Sequence, residues 1–102
     1  MVSHENLEQS IRVISPSLYS HIASELETIH IHPYDVRVNG IKKENGMELI
    51  IRFGDGYAHM KSELFSFEAI EKLDECITEF IKQVGEECKQ TMIADYYKML
   101  KM

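Results

Sequence analysis

The stretch Met47-Glu48-Leu49-Ile50-Ile51-Arg52-Phe53 is the densest β-forming run in this chain, and it has a turn signal on each side. Asn45-Gly46 before it and Asp55-Gly56 after it both tolerate the positive φ angles of a two-residue hairpin turn. The run is therefore expected as the middle strand of a three-stranded antiparallel meander. With Asn45-Gly46 as the first corner, Lys43 faces Glu48, Ile41 faces Ile50 and Val38 faces Phe53. With Asp55-Gly56 as the second, Phe53 faces Ala58, Arg52 faces His59 and Ile51 faces Met60. This register puts Val36, Val38, Leu49, Ile51, Phe53, Ala58 and Met60 on one face. Arg37, Asn39, Ile41, Lys43, Arg52, His59 and Lys61 fall on the other. A slip by one residue would mix the two sets. One misfit remains, a like-charge contact between Glu48 and Glu63.

The flanks read as helix. Leu7, Ile11, Ile14, Leu18, Ile22 and Leu26 recur every three or four residues, and Pro16 interrupts them. Ser15-Pro16 suits an N-cap followed by the first helical position, so helices are expected over 4–14 and 16–27. From Thr28 the period changes to two, and Ile29 and Ile31 alternate with His30 and His32 in an extended segment ended by Pro33. After the meander, Ser66 caps a long helix whose apolar stripe is Ile70, Leu73, Ile77, Phe80, Ile81 and Val84. Gly85 costs about 1 kcal/mol relative to alanine inside a helix and marks a bend or break. Met92, Ile93, Tyr96, Tyr97 and Leu100 carry the stripe onward. The expected fold is α+β, one domain over 1–102: two N-terminal helical segments, the meander, and a long or bent C-terminal helix packed on one sheet face.

A chain of 102 residues has room for one hydrophobic core. No apolar run approaches the roughly 20 residues of a membrane span, and Met1–Asn6 lacks a signal peptide's basic head and apolar body. A cytoplasmic protein is expected. Cys76 and Cys88 lie twelve positions apart in a helical pattern, which on one straight helix is about 18 Å, beyond disulfide reach. Reduced structural thiols follow.

Residues that could carry chemistry are few. His30 and His32 share one side of an extended segment, and with His59 they are the strongest metal-ligand candidate. No strand pairing brings His59 to them, so solvated histidines are the simpler reading, and no metal or cofactor is expected. Gly54-Asp55-Gly56 joins two strands, whereas phosphate loops join a strand to a helix. No nucleophile motif occurs, and acidic neighbours disfavour the thiolates of Cys76 and Cys88. Carboxylate pairs such as Glu86-Glu87 point in different directions on a helix. The expectation is a protein that is not an enzyme.

Charge is unevenly spread. Residues 1–35 hold one basic and five acidic groups, residues 36–63 five and four, and residues 64–102 five and eight. The helices are acidic and the sheet slightly basic. Glu68, Glu71, Asp74, Glu75 and Glu79 form an acidic ridge with only Lys72 to offset it, suited to a partner with a basic surface. Tyr96 and Tyr97, with Met92 and Leu100, are a second candidate contact, to a partner or to a second copy in a homodimer. The alternative is a nucleic-acid face on the outer sheet, built from Arg37, Arg52, His59 and Lys61.

Over residues 36–80, the order strand, turn, Glu48-Leu49-Ile50-Ile51-Arg52-Phe53, glycine-containing turn, strand, acidic helix resembles that of certain small acidic phage-encoded anti-CRISPR proteins. That resemblance implies an inhibitor whose carboxylates occupy the basic DNA-binding surface of a Cas nuclease. The inhibitory acids of that family often sit in the sheet and loops, whereas the sheet of this chain is slightly basic.

Overall fold

The computed structural model describes residues 7–32 and 35–100. It is an α+β structure with one four-stranded antiparallel sheet, in which the strands lie side by side in chain order. Strand β1 (Glu8–Ser10) leads into α1 (Ile11–Ile14) and α2 (Pro16–Thr28). Strands β2 (Val36–Lys43), β3 (Gly46–Phe53) and β4 (His59–Phe65) then make the meander, followed by α3 (Phe67–Lys72) and α4 (Glu75–Leu100). The helices pack on one face of the sheet. Its core joins Leu18, Ile22 and Leu26 of α2 to Leu49, Ile51 and Phe53 of β3 and to Ile77, Phe80, Ile81 and Val84 of α4.

The strand absent from the sequence reading is β1. Glu8, Gln9 and Ser10 pair with Ile41, Gly40 and Asn39, so the expected helix over 4–14 shrinks to the single turn of α1. Residues 4–6 of that expectation lie outside the described residues. Helical spacing at Leu7, Ile11 and Ile14 arises because Ile11 and Ile14 pack beneath β2, where a Cβ on Gly40 would lie 2.7 Å from Ile11 Cδ1. Helix α2 begins as expected: Pro16 opens it, and the Ser15 side chain accepts a hydrogen bond from the Leu18 amide. Its C-terminal end overturns the extended segment read at 29–32. The amides of Ile29 and Ile31 both donate to the Leu26 carbonyl, and His30 turns left-handed at φ 63°. Ile31 is buried by this turn, while His30 and His32 remain exposed. Pro33 lies outside the described residues.

Two hairpins depart from the expected register in different ways. In the first, Lys43 faces Gly46 and Val36 faces Phe53, a shift of two residues. A shift of two preserves the faces, so Val36, Val38, Leu49, Ile51 and Phe53 still point to the core. Gly46 sits in the strand rather than at the turn corner, and a Cβ there would fall 2.1 Å from the Phe65 carbonyl oxygen. In the second, Phe53 faces His59 and Ile51 faces Lys61, a shift of one residue. The cause is the connection: a 3-10 turn at Asp55–Tyr57, closed by the Tyr57 amide donating to the Gly54 carbonyl, replaces the two-residue corner. His59 and Lys61 therefore move to the helix side. Met60, expected in the core, points outward and is 53% exposed. Glu63 now faces Leu49 and Glu48 faces Leu64, which removes the like-charge contact. Glu48 instead meets Lys43 at 3.2 Å.

The C-terminal helix is two helices. Leu73 adopts a left-handed conformation at φ 53°, and the amides of Leu73 and Asp74 close the end of α3. Helix α4 then runs unbroken through Gly85, where a Cβ would lie 2.2 Å from Ile29 Cδ1. Gly85 is a point of close approach between α4 and the end of α2, and the expected bend lies twelve residues earlier.

Candidate functional site

The acidic residues gather at the corner between α3 and α4. Ser66 caps α3 by accepting from the Ala69 amide, and Glu68 holds Lys72 one turn later at 2.8 Å. Asp74 takes the same position for α4: its carboxylate accepts from the Cys76 amide at 3.1 Å, and its carbonyl from the Ile77 amide. That backbone hydrogen bond, with the Cys76 thiol and Lys72 behind it, holds the Asp74 carboxyl below its usual range. The charge also favours the helix N-terminus. Glu75 follows in the first turn and Glu79 one turn on, while Glu71 faces out from α3. All five carboxylate residues are exposed. The ridge bends around the corner instead of running along one helix.

Beside this corner lies an apolar recess that the sequence reading did not single out. It measures about 530 Å³ and is lined by Phe67, Ile70 and Leu73 of the α3 segment, Ser15 and Ser17 at the start of α2, and Glu71. Phe67 is 47% exposed. The recess thus combines an exposed aromatic and two aliphatic side chains with one carboxylate, that of Glu71, at its margin. Its only sequence signal was the apolar residue directly after the Ser66 cap.

The residues proposed as a nucleic-acid face are divided between the two sides of the sheet. Arg37 and Arg52 point outward, while His59 stacks on Phe53 at 5.5 Å and Lys61 meets Glu87 of α4 at 3.3 Å on the helix side. Arg52 is occupied as well. Its guanidinium makes two hydrogen bonds to Glu8, one of them Nη2 to Oε1 at 3.0 Å, and Asn39 donates to the same carboxylate at 2.6 Å. The arrangement lowers the Glu8 pKa, chiefly through the Arg52 hydrogen bond, and raises that of Arg52. No helix covers this outer face among the described residues, and Ile50 is nonetheless only 4% exposed between Asn39 and Ser62.

Toward the far end of α4, Cys88 is the last buried residue among the described ones. Met92, Ile93 and Tyr96 beyond it are 39%, 54% and 59% exposed, so the stripe is uncovered there. The side chains of Tyr97 and Leu100 lie outside the described residues. Both cysteines are free: burial pushes the Cys88 thiol up, and desolvation with the Asp74 carboxylate does the same for Cys76. His30 and His32 line a shallow recess with Glu27 and Ile31, apart from His59 on β4. Among the described residues no three histidine, cysteine or carboxylate side chains gather in a way that could hold a metal ion. No helix among them is long and apolar enough to cross a membrane.

Two arginines also lie over aromatic rings: Arg37, from the expected nucleic-acid set, and Arg12, which belonged to no expected set. Arg12 lies 5.4 Å from the Tyr19 ring centroid and Arg37 lies 4.8 Å from that of Tyr57. No family model, curated protein or solved structure matches the chain.

Proposed function

We propose that this protein is a non-catalytic protein–protein interaction module, a small acidic inhibitor that occupies a basic nucleic-acid-binding surface of a bacterial nuclease. The observation that carries the reading is that Glu68, Glu71, Asp74, Glu75 and Glu79 are all exposed along α3, the break at Leu73–Asp74 and the start of α4, with Glu71 lining the apolar recess beside the exposed Phe67. Carboxylates at such a corner steer a basic partner into contact, and an aromatic anchor supplies the desolvated centre that slows its departure. The layout resemblance to anti-CRISPR proteins supports a Cas nuclease as the partner class. A second contact through Met92, Ile93 and Tyr96, to the partner or to a second copy, is supported by their exposure past the end of the core.

Capture from a bacterial lysate on the immobilised protein, with duplex DNA as competitor, tests the reading. A nuclease retained without DNA and released by it is the expected result. The triple variant Glu71→Lys, Glu75→Lys, Glu79→Lys should associate on the order of tenfold more slowly or worse, with its fold intact. Retention of the same proteins by that variant, or no DNA-competable partner, would refute the proposal.

A further inference from the structure

Strand β1 covers only part of the edge of β2. It pairs with Asn39, Gly40 and Ile41 and then turns into α1, which leaves the Val36–Val38 edge without a strand beside it among the described residues. A groove of about 360 Å³ runs along that open edge. Its two walls carry the stacked pairs just described. Arg37 points from β2 to the outer face, over Tyr57; Arg12 comes from α1, which packs on the inner face, and lies over Tyr19 of α2. None of the lining residues is acidic, in a chain with a net charge of −6. Neither arginine has an ion-pair partner among the described residues, unlike Arg52, Lys43, Lys61 and Lys72.

We propose that the open edge of β2 at Val36–Val38 is a docking site for an extended acidic peptide segment, which adds as a strand and places successive carboxylates on Arg37 and Arg12. Strand addition uses the free edge for main-chain hydrogen bonds and side-chain pockets for selection. Because neighbouring side chains of a strand point to opposite faces, adjacent acidic residues reach one arginine above the sheet and one below it. Each guanidinium is backed by a tyrosine ring, which pre-orders its planar fork for a bidentate carboxylate. A single-stranded nucleic acid fits less well. Base stacking needs a bare aromatic platform, and here a guanidinium already lies over a face of each ring.

The experiment is a titration of the full chain with a fluorescein-labelled, β-forming octapeptide carrying two adjacent central glutamates, read by anisotropy and by backbone amide shifts. Saturable binding with shifts at Val36–Asn39 is expected. Affinity should fall by about tenfold or more when both peptide glutamates become glutamine, and likewise in the Arg12→Gln, Arg37→Gln chain. The corresponding double lysine variant keeps the charge and loses the fork, so it should fall between. Lys43→Gln, in the turn-end ion pair with Glu48, should bind as the parent does. If the double glutamine variant loses its fold by circular dichroism, Arg37→Gln alone, on the outer face, decides the question. Undiminished binding by the arginine variants, equal binding of the neutral peptide, or no shift at Val36–Asn39 would overturn the proposal. So would a deoxythymidine decamer that binds the same amides more tightly.

Discussion

A single carboxylate, that of Glu8, ties three strands together: it sits on β1 and accepts hydrogen bonds from Asn39 on β2 and Arg52 on β3. Those bonds lower its folded-state pKa below the ordinary value of 4.5. The stabilisation is therefore complete above the unfolded-state value and is lost as pH falls through the lower folded-state one. Glu8→Gln is expected to cost about 0.2–1 kcal/mol at neutral pH, as for exposed ion pairs, and to flatten the loss of stability below pH ~4.5. Urea midpoints measured across that range check it, and an acid limb identical to the parent's would contradict it. At the same scale, Gly85 owes its place to Ile29. Gly85→Ala gains up to about 1 kcal/mol of helix propensity but drives a Cβ to 2.2 Å from Ile29 Cδ1. The substitution should therefore stabilise an Ile29→Ala chain more than the parent chain, in which the end of the Ile29 side chain must give way. A double-mutant cycle with no coupling would show that the two residues do not meet.

Among the elements, the shift between β3 and β4 makes the sharpest demand. Met60 faces out and Phe65 is buried edge-on against Phe80 at 5.6 Å between ring centroids. Met60→Thr should then change stability by less than about 0.5 kcal/mol, and Phe65→Ala should cost about 3–5 kcal/mol in chemical denaturation. The reverse order would restore the register expected from the turn residues. Strong alternation in β2 and β3 survived a misplaced corner because a shift of two keeps every side chain on its face. Strand β4 had no such protection. His59, Met60, Lys61, Ser62 and Glu63 are all exposed, so no burial contrast fixed its register, and the 3-10 turn that sets it depends on left-handed residues including Tyr57. The three polar residues of β1 were hidden inside a helical spacing whose apolar members pack on the sheet. Nor does leucine ordinarily signal a left-handed helix end, so the break at Leu73 had no mark in the sequence. The acidic residues were legible as a set, but their bend around a corner and the recess beside Phe67 depended on that break.

The whole molecule measures 48 × 34 × 18 Å, with its helices on one side of the sheet and α4 extending past Cys88, the last core residue among those described. Its charges are segregated on this frame. Cations of the sheet are largely held in pairs, at Lys43–Glu48, Arg52–Glu8 and Lys61–Glu87, while the α3–α4 corner keeps an excess of carboxylates with only the Glu68–Lys72 pair among them. A partner with a basic surface should therefore meet the corner first, and its approach should slow as salt screens the field. The most direct test of the acidic-corner account is hydrogen–deuterium exchange of the protein bound to the DNA-competable partner recovered by capture. The account predicts slowed exchange across Phe67–Phe80, which spans α3, the Leu73–Asp74 break and the first turns of α4. Unchanged exchange there, with protection confined to Val36–Asn39 or to α4 beyond Cys88, would contradict it.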